Sequence, residues 1–146
     1  MLRGRESKLP ENTNLQKDYA GYRLERAKED LEAAQLLYKA GNYRIANNRA
    51  YYAIFHAMRA VLVFDNFDSS KHSGVIAEFR RRYIKAGVFP AEVSKMIGSA
   101  FMIRNASDYD DMFLASRTDT EEQIRNAEYI LKLLSDYIKK RIGEYK

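Results

Sequence analysis

The segment RNASDYDDMF, residues 104–113, concentrates side chains that could act on a phosphate group. Arg104 can grip a phosphate through two parallel N–H bonds. Asp108 is ionised near neutral pH unless its surroundings raise its pKa, and a nearby arginine lowers that pKa instead. Tyr109, whose unperturbed pKa is about 10, is a weak base but can donate a proton. We therefore predict Arg104, Asp108 and Tyr109 as candidate catalytic residues, and Arg104 and Asn105 as candidate phosphate ligands.

A purely structural interpretation of the same segment stays open. Arg104 and Asp108 are four residues apart, so on a helix they could form an ion pair worth about 0.2 to 0.5 kcal/mol. The aspartates that follow could end the helix, because their carboxylates compete for its backbone N–H groups. The segment alone does not separate these two interpretations.

A second set of polar residues lies inside an otherwise apolar stretch. Arg49, Tyr52 and His56 are spaced three and four apart, so they share one stripe of a helix. A buried arginine or histidine needs a partner. His56 could be a structural residue bonded to a neighbouring helix, or a phosphate ligand. Arg49 could be structural too, or could pair with Asp108 or an aspartate near it, which would place the second and fourth helices around one polar pocket.

A third set, Lys71 and His72, lies in the loop-like segment DNFDSSKHSG. A cation beside an imidazole that titrates near neutrality could contact a phosphate. A capping role at the start of the following helix is the alternative. More broadly, residues 71–95 carry six basic and two acidic residues, which fits either a phosphate-binding face or an ordinary solvated helix surface.

Other chemistries have little support in the residues. Two histidines without an HExxH spacing, and no cysteines, argue against a zinc site. Magnesium binding by Asp108, Asp110 and Asp111 is weakly supported, because adjacent residues on a helix diverge. The sequence has no Gly-rich phosphate loop, no GxSxG elbow and no Rossmann pattern. We expect neither a metal nor a cofactor.

Composition indicates a single domain. With 146 residues, 46% of them hydrophobic, the chain can bury roughly two thirds of its unfolded surface. No apolar run approaches the ~18 to 20 residues of a membrane span, and the N-terminal MLRGRESKLPENTN lacks the apolar segment of a signal peptide. The absence of cysteine agrees with a reducing compartment. We therefore expect a soluble, cytoplasmic protein without membrane contact.

The elements that must position these residues are helices. Only two prolines and seven glycines interrupt the chain, and apolar residues recur at intervals of three and four. The stretch RAYYAIFHAMRAVLVF is apolar nearly all round and predicts a central helix. We predict an all-α bundle of about five helices in one domain, 15–146, after a flexible arm, 1–14. The helices cover 15–40, 42–64, 75–87 and 90–111, and a fifth is capped by Thr118 or Thr120.

Three motifs in this order, NRAYYAIFHAMRAVL, KHSGVIAEF and RNASDYD, resemble the HEPN superfamily (higher eukaryotes and prokaryotes nucleotide-binding domain). The resemblance is to its small stand-alone prokaryotic branch and covers roughly residues 18 to 142. It implies an up-and-down helical bundle that forms a homodimer, often encoded beside a minimal nucleotidyltransferase. Many members are metal-independent ribonucleases, frequently toxins, with an arginine followed four to six residues later by a histidine.

Arg104 matches the family arginine, but the histidine is missing. Metal-free RNA cleavage needs a group that removes the 2′-hydroxyl proton, a group that protonates the leaving oxygen and a cation for the phosphate charge. The motif therefore looks impaired for the family's ribonuclease chemistry. The charges could instead line a cleft at the dimer interface that holds nucleotide or RNA phosphate.

Three hypotheses follow. The first is a HEPN protein that works with a nucleotidyltransferase in a toxin–antitoxin-like or defence system, binding nucleotide or RNA phosphate around Arg104, with Tyr109 as acceptor of a nucleotidyl group. The second is a metal-independent endoribonuclease in which His56 or His72 replaces the missing histidine. The third is a non-catalytic helical dimer that only binds a partner protein, in which Arg104 would affect nothing beyond stability.

Overall fold

The computed structural model describes residues 13–143, and these residues form an all-α fold with five α-helices. The predicted fold class and the predicted number of helices are confirmed. The helices are α1 (Asn14–Lys39), α2 (Tyr43–Leu62), α3 (His72–Phe79), α4 (Glu92–Tyr109) and α5 (Arg117–Gly143). A 3₁₀ turn, Val63–Asp65, follows α2, and a π-helical segment, Arg80–Ile84, continues α3.

Helix α2 is the centre of the bundle, as its apolar character predicts. It packs against each of the other four helices, and Tyr51, Ile54 and Met58 on it are completely buried. Burial of a large apolar side chain contributes roughly 1.5 to 3 kcal/mol. Because α2 touches every other helix, polar side chains on its surface can meet partners from several of them.

Helix α1 begins at a capping box. Thr13 Oγ1 accepts a hydrogen bond from Gln16 N at 3.1 Å, and Gln16 Oε1 accepts one from Thr13 N at 3.0 Å. Gln16 is also fully buried and donates to Val63 O at 3.2 Å, which ties α1 to the end of α2. Gly41 follows α1 with φ +82°, the left-handed conformation expected of the predicted stop. Of the predicted arm, residues 1–12 lie outside the described residues.

The predicted cap of α5 is wrong. The helix begins at Arg117. The backbone N–H groups of its first turn can therefore be capped by Ser116, the residue before it. Ser116 Oγ accepts from Asp119 N at 3.0 Å, and Ser116 O accepts from the hydroxyl of Thr120 at 2.7 Å. Thr118 and Thr120 therefore lie inside the first turn and do not cap it.

Helices α3 and α4 also begin elsewhere than predicted. Helix α3 starts at His72 and includes Gly74. Gly74 does not interrupt the helix but lets it pack closely against the preceding loop. A Cβ at Gly74 would lie 3.0 Å from Ser69 Oγ. Helix α4 starts at Glu92; Pro90 precedes it, and its backbone oxygen accepts from Val93 N of the first turn at 3.1 Å.

Among residues 13–143, no helix combines the length and the apolar character that a membrane span requires.

Candidate functional site

Arg104 lies on α4 with its guanidinium among aromatic rings. Its Cζ is 5.4 Å from the ring centroid of Tyr51, 5.2 Å from that of Tyr52 and 5.7 Å from that of Tyr109. The side chain is only 12% exposed. A cation against aromatic faces gains about 0.5 to 2 kcal/mol per contact, more where water is excluded. The rings therefore compensate part of the desolvation of this charge and hold it in one place.

The polar contacts of Arg104 occupy only part of its donor capacity. Nη2 donates to the hydroxyl of Tyr52 at 2.8 Å, and Nη1 donates to Asn105 Oδ1 at 3.0 Å. Nε lies 3.0 Å from Asp108 Oδ2, an ion pair in which the buried N–H is not aligned for a hydrogen bond. A guanidinium has five N–H donors, so Nη1 and Nη2 can still bind an oxyanion. The predicted pair of Arg104 and Asp108 is present.

Asp108 is joined to α2 by Asn48, a residue that the sequence interpretation missed. Asn48 Nδ2 donates to Asp108 Oδ2 at 2.9 Å. Asn48 Oδ1 in turn accepts from Nε of Arg49 at 3.1 Å and from its Nη2 at 2.9 Å. The amide therefore bridges a cation on its own helix and a carboxylate on α4.

Of the alternatives open for Arg49, the structure does not show a pair with Asp108 on α4. Its Nη1 donates to Asp30 Oδ1 on α1 at 2.9 Å, and its Cζ lies 5.2 Å from the ring centroid of Tyr52. Consecutive residues on a helix point about 100° apart, since 3.6 residues make one turn. Asn48 thus reaches α4, while Arg49 reaches α1.

His72, the first residue of α3, lies against the same rings as Arg104. Its Nδ1 is 2.9 Å from the hydroxyl oxygen of Tyr51. Its ring centroid is 5.6 Å from that of Tyr51, 5.7 Å from that of Tyr52 and 4.3 Å from that of Phe55. Burial, with the positive charges of Arg104 and Arg59, lowers the pKa of His72. We name Arg104, Tyr51, Tyr52, His72 and Asp108 the Arg104 cluster.

The loop before His72 is held by two arginines. Asp68 accepts from Arg59 Nη2 on α2 at 2.9 Å and from Arg23 Nη2 on α1 at 3.1 Å. Burial opposes ionisation of Asp68, but these arginines keep its pKa below the usual range. Ser69 Oγ accepts from Lys71 N at 3.1 Å. Lys71 is the N-cap residue of α3, and its backbone oxygen accepts from Val75 N at 3.2 Å, but its exposed side chain forms no capping hydrogen bond.

His56 lies away from Arg104, on the side of α2 that faces α1. Its Nε2 is 3.7 Å from Asp30 Oδ2, and its side chain is 14% exposed. Burial, followed by the charges of Arg26, Arg59, Arg49 and Arg23, lowers the pKa of His56 to about 4. Its ring centroid lies 5.9 Å from that of Tyr52. Burial also raises the pKa of Asp30, although Arg49 opposes this. The structure thus brings His72, and not His56, to Arg104.

Tyr109 is the last residue of α4 and is 73% exposed. Arg44 on α2 clamps this end of the helix, because it donates to the backbone oxygens of Ser107 and Phe113. Asp110 Oδ1 accepts from Met112 N at 2.9 Å, so the first aspartate after the helix bonds to the backbone, as the structural interpretation predicts. The phenol of Tyr109 therefore projects from a fixed helix end beside the guanidinium of Arg104.

The three arginines of the basic segment 71–95 contact neighbouring groups of the protein. Glu78 accepts from Arg81 at 2.8 Å and from Arg82 at 2.7 Å, and Arg80 donates to the backbone oxygen of Ser94 at 3.0 Å. These contacts favour the ordinary helix surface over a phosphate-binding face. Within residues 13–143, no three His, Asp or Glu side chains are grouped so as to hold a metal ion.

The part of the chain that a known domain model matches includes the whole Arg104 cluster. A domain model described as "HEPN domain" matches residues 20–138. A UPF0332 protein of Thermotoga maritima is 36% identical over 86% of this chain and 92% of its own length. A Methanocaldococcus jannaschii protein named "Putative toxin" is 34% identical over 83% of this chain and 87% of its own length. A second protein of that name and organism is 29% identical over 79% and 78%.

Proposed function

Because this chain belongs to the HEPN domain family, we propose that it is the toxin-like member of a toxin–antitoxin-like or defence pair whose partner is a minimal nucleotidyltransferase. It acts in the cytoplasm and binds nucleotide or RNA phosphate in a cleft around Arg104. The names of the two archaeal relatives support a toxin-like role. The partner and the ligand are inferences from the family and from the chemistry of the site.

The observation that carries this proposal is the placement of Arg104. A guanidinium that is 12% exposed and lies within 6 Å of three aromatic rings is far better ordered than a surface arginine. Its two Nη atoms retain donors for an oxyanion. Tyr109, which is 73% exposed, also offers a ring on which a base could stack, and such stacking contributes about 1 to 3 kcal/mol per base.

The role of Tyr109 in this proposal is to accept a nucleotidyl group from the partner. Its exposed phenol oxygen would attack the α-phosphorus of a nucleoside triphosphate bound to the partner, lose its proton and release pyrophosphate. Arg104, with its Cζ 5.7 Å from the ring centroid, would then stabilise the phosphate that the tyrosine carries. Such a modification would place a covalent anion directly on the RNA site and block it.

The test is binding of a short fluorescein-labelled RNA and of ATP, followed by fluorescence anisotropy in EDTA. We expect Arg104→Ala to weaken binding about 10- to 100-fold, since hydrogen bonds to a charged group are worth about 1.5 to 3 kcal/mol. Arg125→Ala is the matched control, because Arg125 forms an i,i+4 pair with Glu121 on α5 and its side chain is 66% exposed. It should bind as the native protein does.

If both variants lost the same affinity, the loss would be explained by the change in net charge alone. That result would contradict a site at Arg104. No binding by the native protein, together with unchanged partner capture by Arg104→Ala, would favour the non-catalytic dimer that only binds a partner protein.

A metal-independent endoribonuclease is the second candidate, and the observation that favours it is the position of His72. Although the family histidine is missing after Arg104, an imidazole from α3 lies on the same two tyrosine rings. Cleavage of RNA in EDTA by the native protein, lost in Arg104→Ala at matched folding, would establish this activity.

A further inference from the structure

We propose that the neighbouring outer faces of α1 and α2 bind the continuation of a single-stranded RNA whose phosphate is held by Arg104. The binding groups are four arginines and two exposed tyrosines, which we name the α1–α2 basic surface: Arg23, Arg26, Arg49, Arg59, Tyr19 and Tyr22. The inference rests on the proposed function and specifies its ligand as a strand of several nucleotides rather than a mononucleotide.

On α1, the surface is a stripe along one helix face. Tyr19, Arg23 and Arg26 are spaced four and three residues apart, so their side chains are neighbours on that face. Tyr22 borders the stripe, and Arg26 Nη1 donates to its hydroxyl at 3.4 Å. Tyr19 and Tyr22 are 49% and 60% exposed, so an unpaired base can reach both of them.

On α2, the surface is a second stripe that reaches the Arg104 cluster. Arg49 and Arg59 are ten residues apart, with Tyr52 and His56 between them at helical spacing. At a rise of 1.5 Å per residue, this stripe is about 15 Å long. Cζ of Arg49 and Cζ of Arg104 both lie 5.2 Å from the ring centroid of Tyr52. The stripe therefore begins beside the proposed phosphate ligand and leads away from it.

The two stripes are joined by two aspartates. Asp30 on α1 accepts from Arg49 on α2 at 2.9 Å. Asp68 accepts from Arg23 on α1 at 3.1 Å and from Arg59 on α2 at 2.9 Å. These contacts order the arginines without using all their donors, because a guanidinium has five N–H groups. A phosphate can therefore still be bound.

Positive charge exceeds negative charge on this surface. The four arginines meet three carboxylates, those of Asp30, Asp68 and Glu29. His56 lies where the stripes meet, with Nε2 3.7 Å from Asp30 Oδ2. Burial is the first cause that lowers the pKa of His56 to about 4, and the charges of the four arginines follow. Such a concentration of positive charge attracts a phosphate backbone.

The exposed rings beside the arginines favour a nucleic acid over an acidic polypeptide. Bases stack on tyrosine, whereas the carboxylates of an acidic polypeptide would need only the arginines. A basic groove with aromatic side chains is the arrangement that binds single strands without sequence preference. In a double helix the base faces are stacked on one another, so sequence-independent stacking on Tyr19 and Tyr22 requires a single strand.

The experiment is an anisotropy titration in EDTA, at several salt concentrations, of two fluorescein-labelled single-stranded RNAs. One has about 3 and the other about 12 nucleotides, within the range that single-strand sites cover. We expect the longer RNA to bind the native protein more tightly. Its affinity should also fall more steeply with salt, since each additional phosphate contact adds about 0.7 to the salt slope.

Arg26→Ala tests the charge of the surface. It should weaken binding of the longer RNA about 2- to 5-fold, the range of an exposed charge pair, and lower its salt slope by about 0.7. The shorter RNA, which covers the Arg104 cluster alone, should bind as before. Arg125→Ala on α5, whose native side chain is 66% exposed, is the matched control and should change neither affinity.

Tyr22→Ala tests the stacking. It should weaken binding of the longer RNA about 5-fold or more, because the ring that supports a base is lost. Tyr22→Phe keeps the ring and removes the hydroxyl that accepts from Arg26, so it should bind nearly as the native protein does. Tyr22 is largely exposed, and circular dichroism should show both variants folded.

Several results would overturn the inference and leave the proposed function intact: equal affinity for the two RNA lengths, equal losses in Arg26→Ala and Arg125→Ala, or binding of ATP but of neither RNA. A loss in Arg26→Ala without one in Tyr22→Ala would also overturn it, since charge alone would then act, as for an acidic polypeptide. If the native protein bound neither RNA and no ATP, the proposed function would be wrong, and the inference with it.

Discussion

At the residue scale, Asp108 is the carboxylate that pairs with Arg104. It lies four residues after Arg104, and its carboxylate oxygen is 3.0 Å from Nε. A carboxylate there stabilises the cation but competes with any phosphate for it. Asp108 is thus a structural partner of Arg104 and also weakens the binding of an anion to it. The structural ion pair and the phosphate site, which the sequence leaves as alternatives, can therefore both be present.

The first prediction concerns the charge of Asp108. Asp108→Asn keeps the size of the side chain and an oxygen that can accept from Asn48, but removes the negative charge. We expect RNA affinity to rise about 2- to 5-fold at low salt, since a charge pair at this separation is worth roughly 1 kcal/mol in water. Anisotropy titration measures the change.

Asp136→Asn is the matched control, because Asp136 pairs with Lys132 four residues away on an exposed face of α5. An equal gain in this variant would show that only net charge matters, and a loss in Asp108→Asn would mean that the carboxylate supports binding.

The second prediction concerns His56 and acid. Its pKa is about 4 in the folded protein and about 6.5 when unfolded, so between these values the unfolded chain binds more protons. The free energy of unfolding should therefore fall as pH drops from about 6.5 to 4, by about 2 to 3 kcal/mol for this group alone. Asp30, whose pKa is raised, acts in the opposite direction.

Urea unfolding of the native protein and of His56→Gln at several pH values isolates the histidine, because Asp30 is present in both. The native curve should lose stability faster as the pH falls. Parallel curves would mean that the pKa of His56 is the same in the folded and in the unfolded protein.

At the element scale, the sequence places the helices well and their ends poorly. The run TDTEEQ offers two threonines as caps of α5, yet Ser116 takes that role. Each side chain can cap only if it precedes the first helical residue, and the packing of α5 on α1, α2 and α4 determines which residue that is. The amino-acid composition of the segment cannot show which residue is the first of the helix.

The third prediction tests this cap. Ser116→Ala should lower the free energy of unfolding by about 1 kcal/mol, since the bond to the backbone N–H of Asp119 is lost. Thr118→Ala, at an exposed position of the first turn, should change it by less than about 0.5 kcal/mol. Chemical denaturation measures both, and a larger loss in Thr118→Ala would contradict the observed start of the helix.

At the scale of the whole molecule, exposed apolar side chains concentrate at one end of α4. Met102 is 71% exposed on the helix, and Met112 and Leu114 in the following loop are 86% and 88% exposed. Tyr109, seven residues after Met102, lies on the same helix face. This surface supports the proposed homodimer and would place two Arg104 clusters near each other.

The fourth prediction follows from this surface. Sedimentation velocity at micromolar concentration should show a dimer, and Leu114→Asp should shift it toward monomer, because a charge would be buried without a partner. Leu36→Asp, at a 67% exposed leucine of α1, is the control. A strict monomer, or equal dissociation by both variants, would contradict a dimer through this surface.

The sequence by itself determined the helical class, the central position of α2 and the pair of Arg104 and Asp108. These features depend on local periodicity, which a helix converts directly into shared faces. The motifs also sufficed to indicate the family that residues 20–138 match.

Only the tertiary structure decided which histidine meets Arg104 and which helices the polar residues join. Tyr51 and His72 are 21 residues apart in the chain, and Asn48 and Asp108 are 60 apart. Such contacts depend on how whole helix faces pack, because a rotation of one residue, about 100°, sends a side chain to a different neighbour. For that reason Arg49 binds Asp30 on α1, while the adjacent Asn48 binds Asp108 on α4.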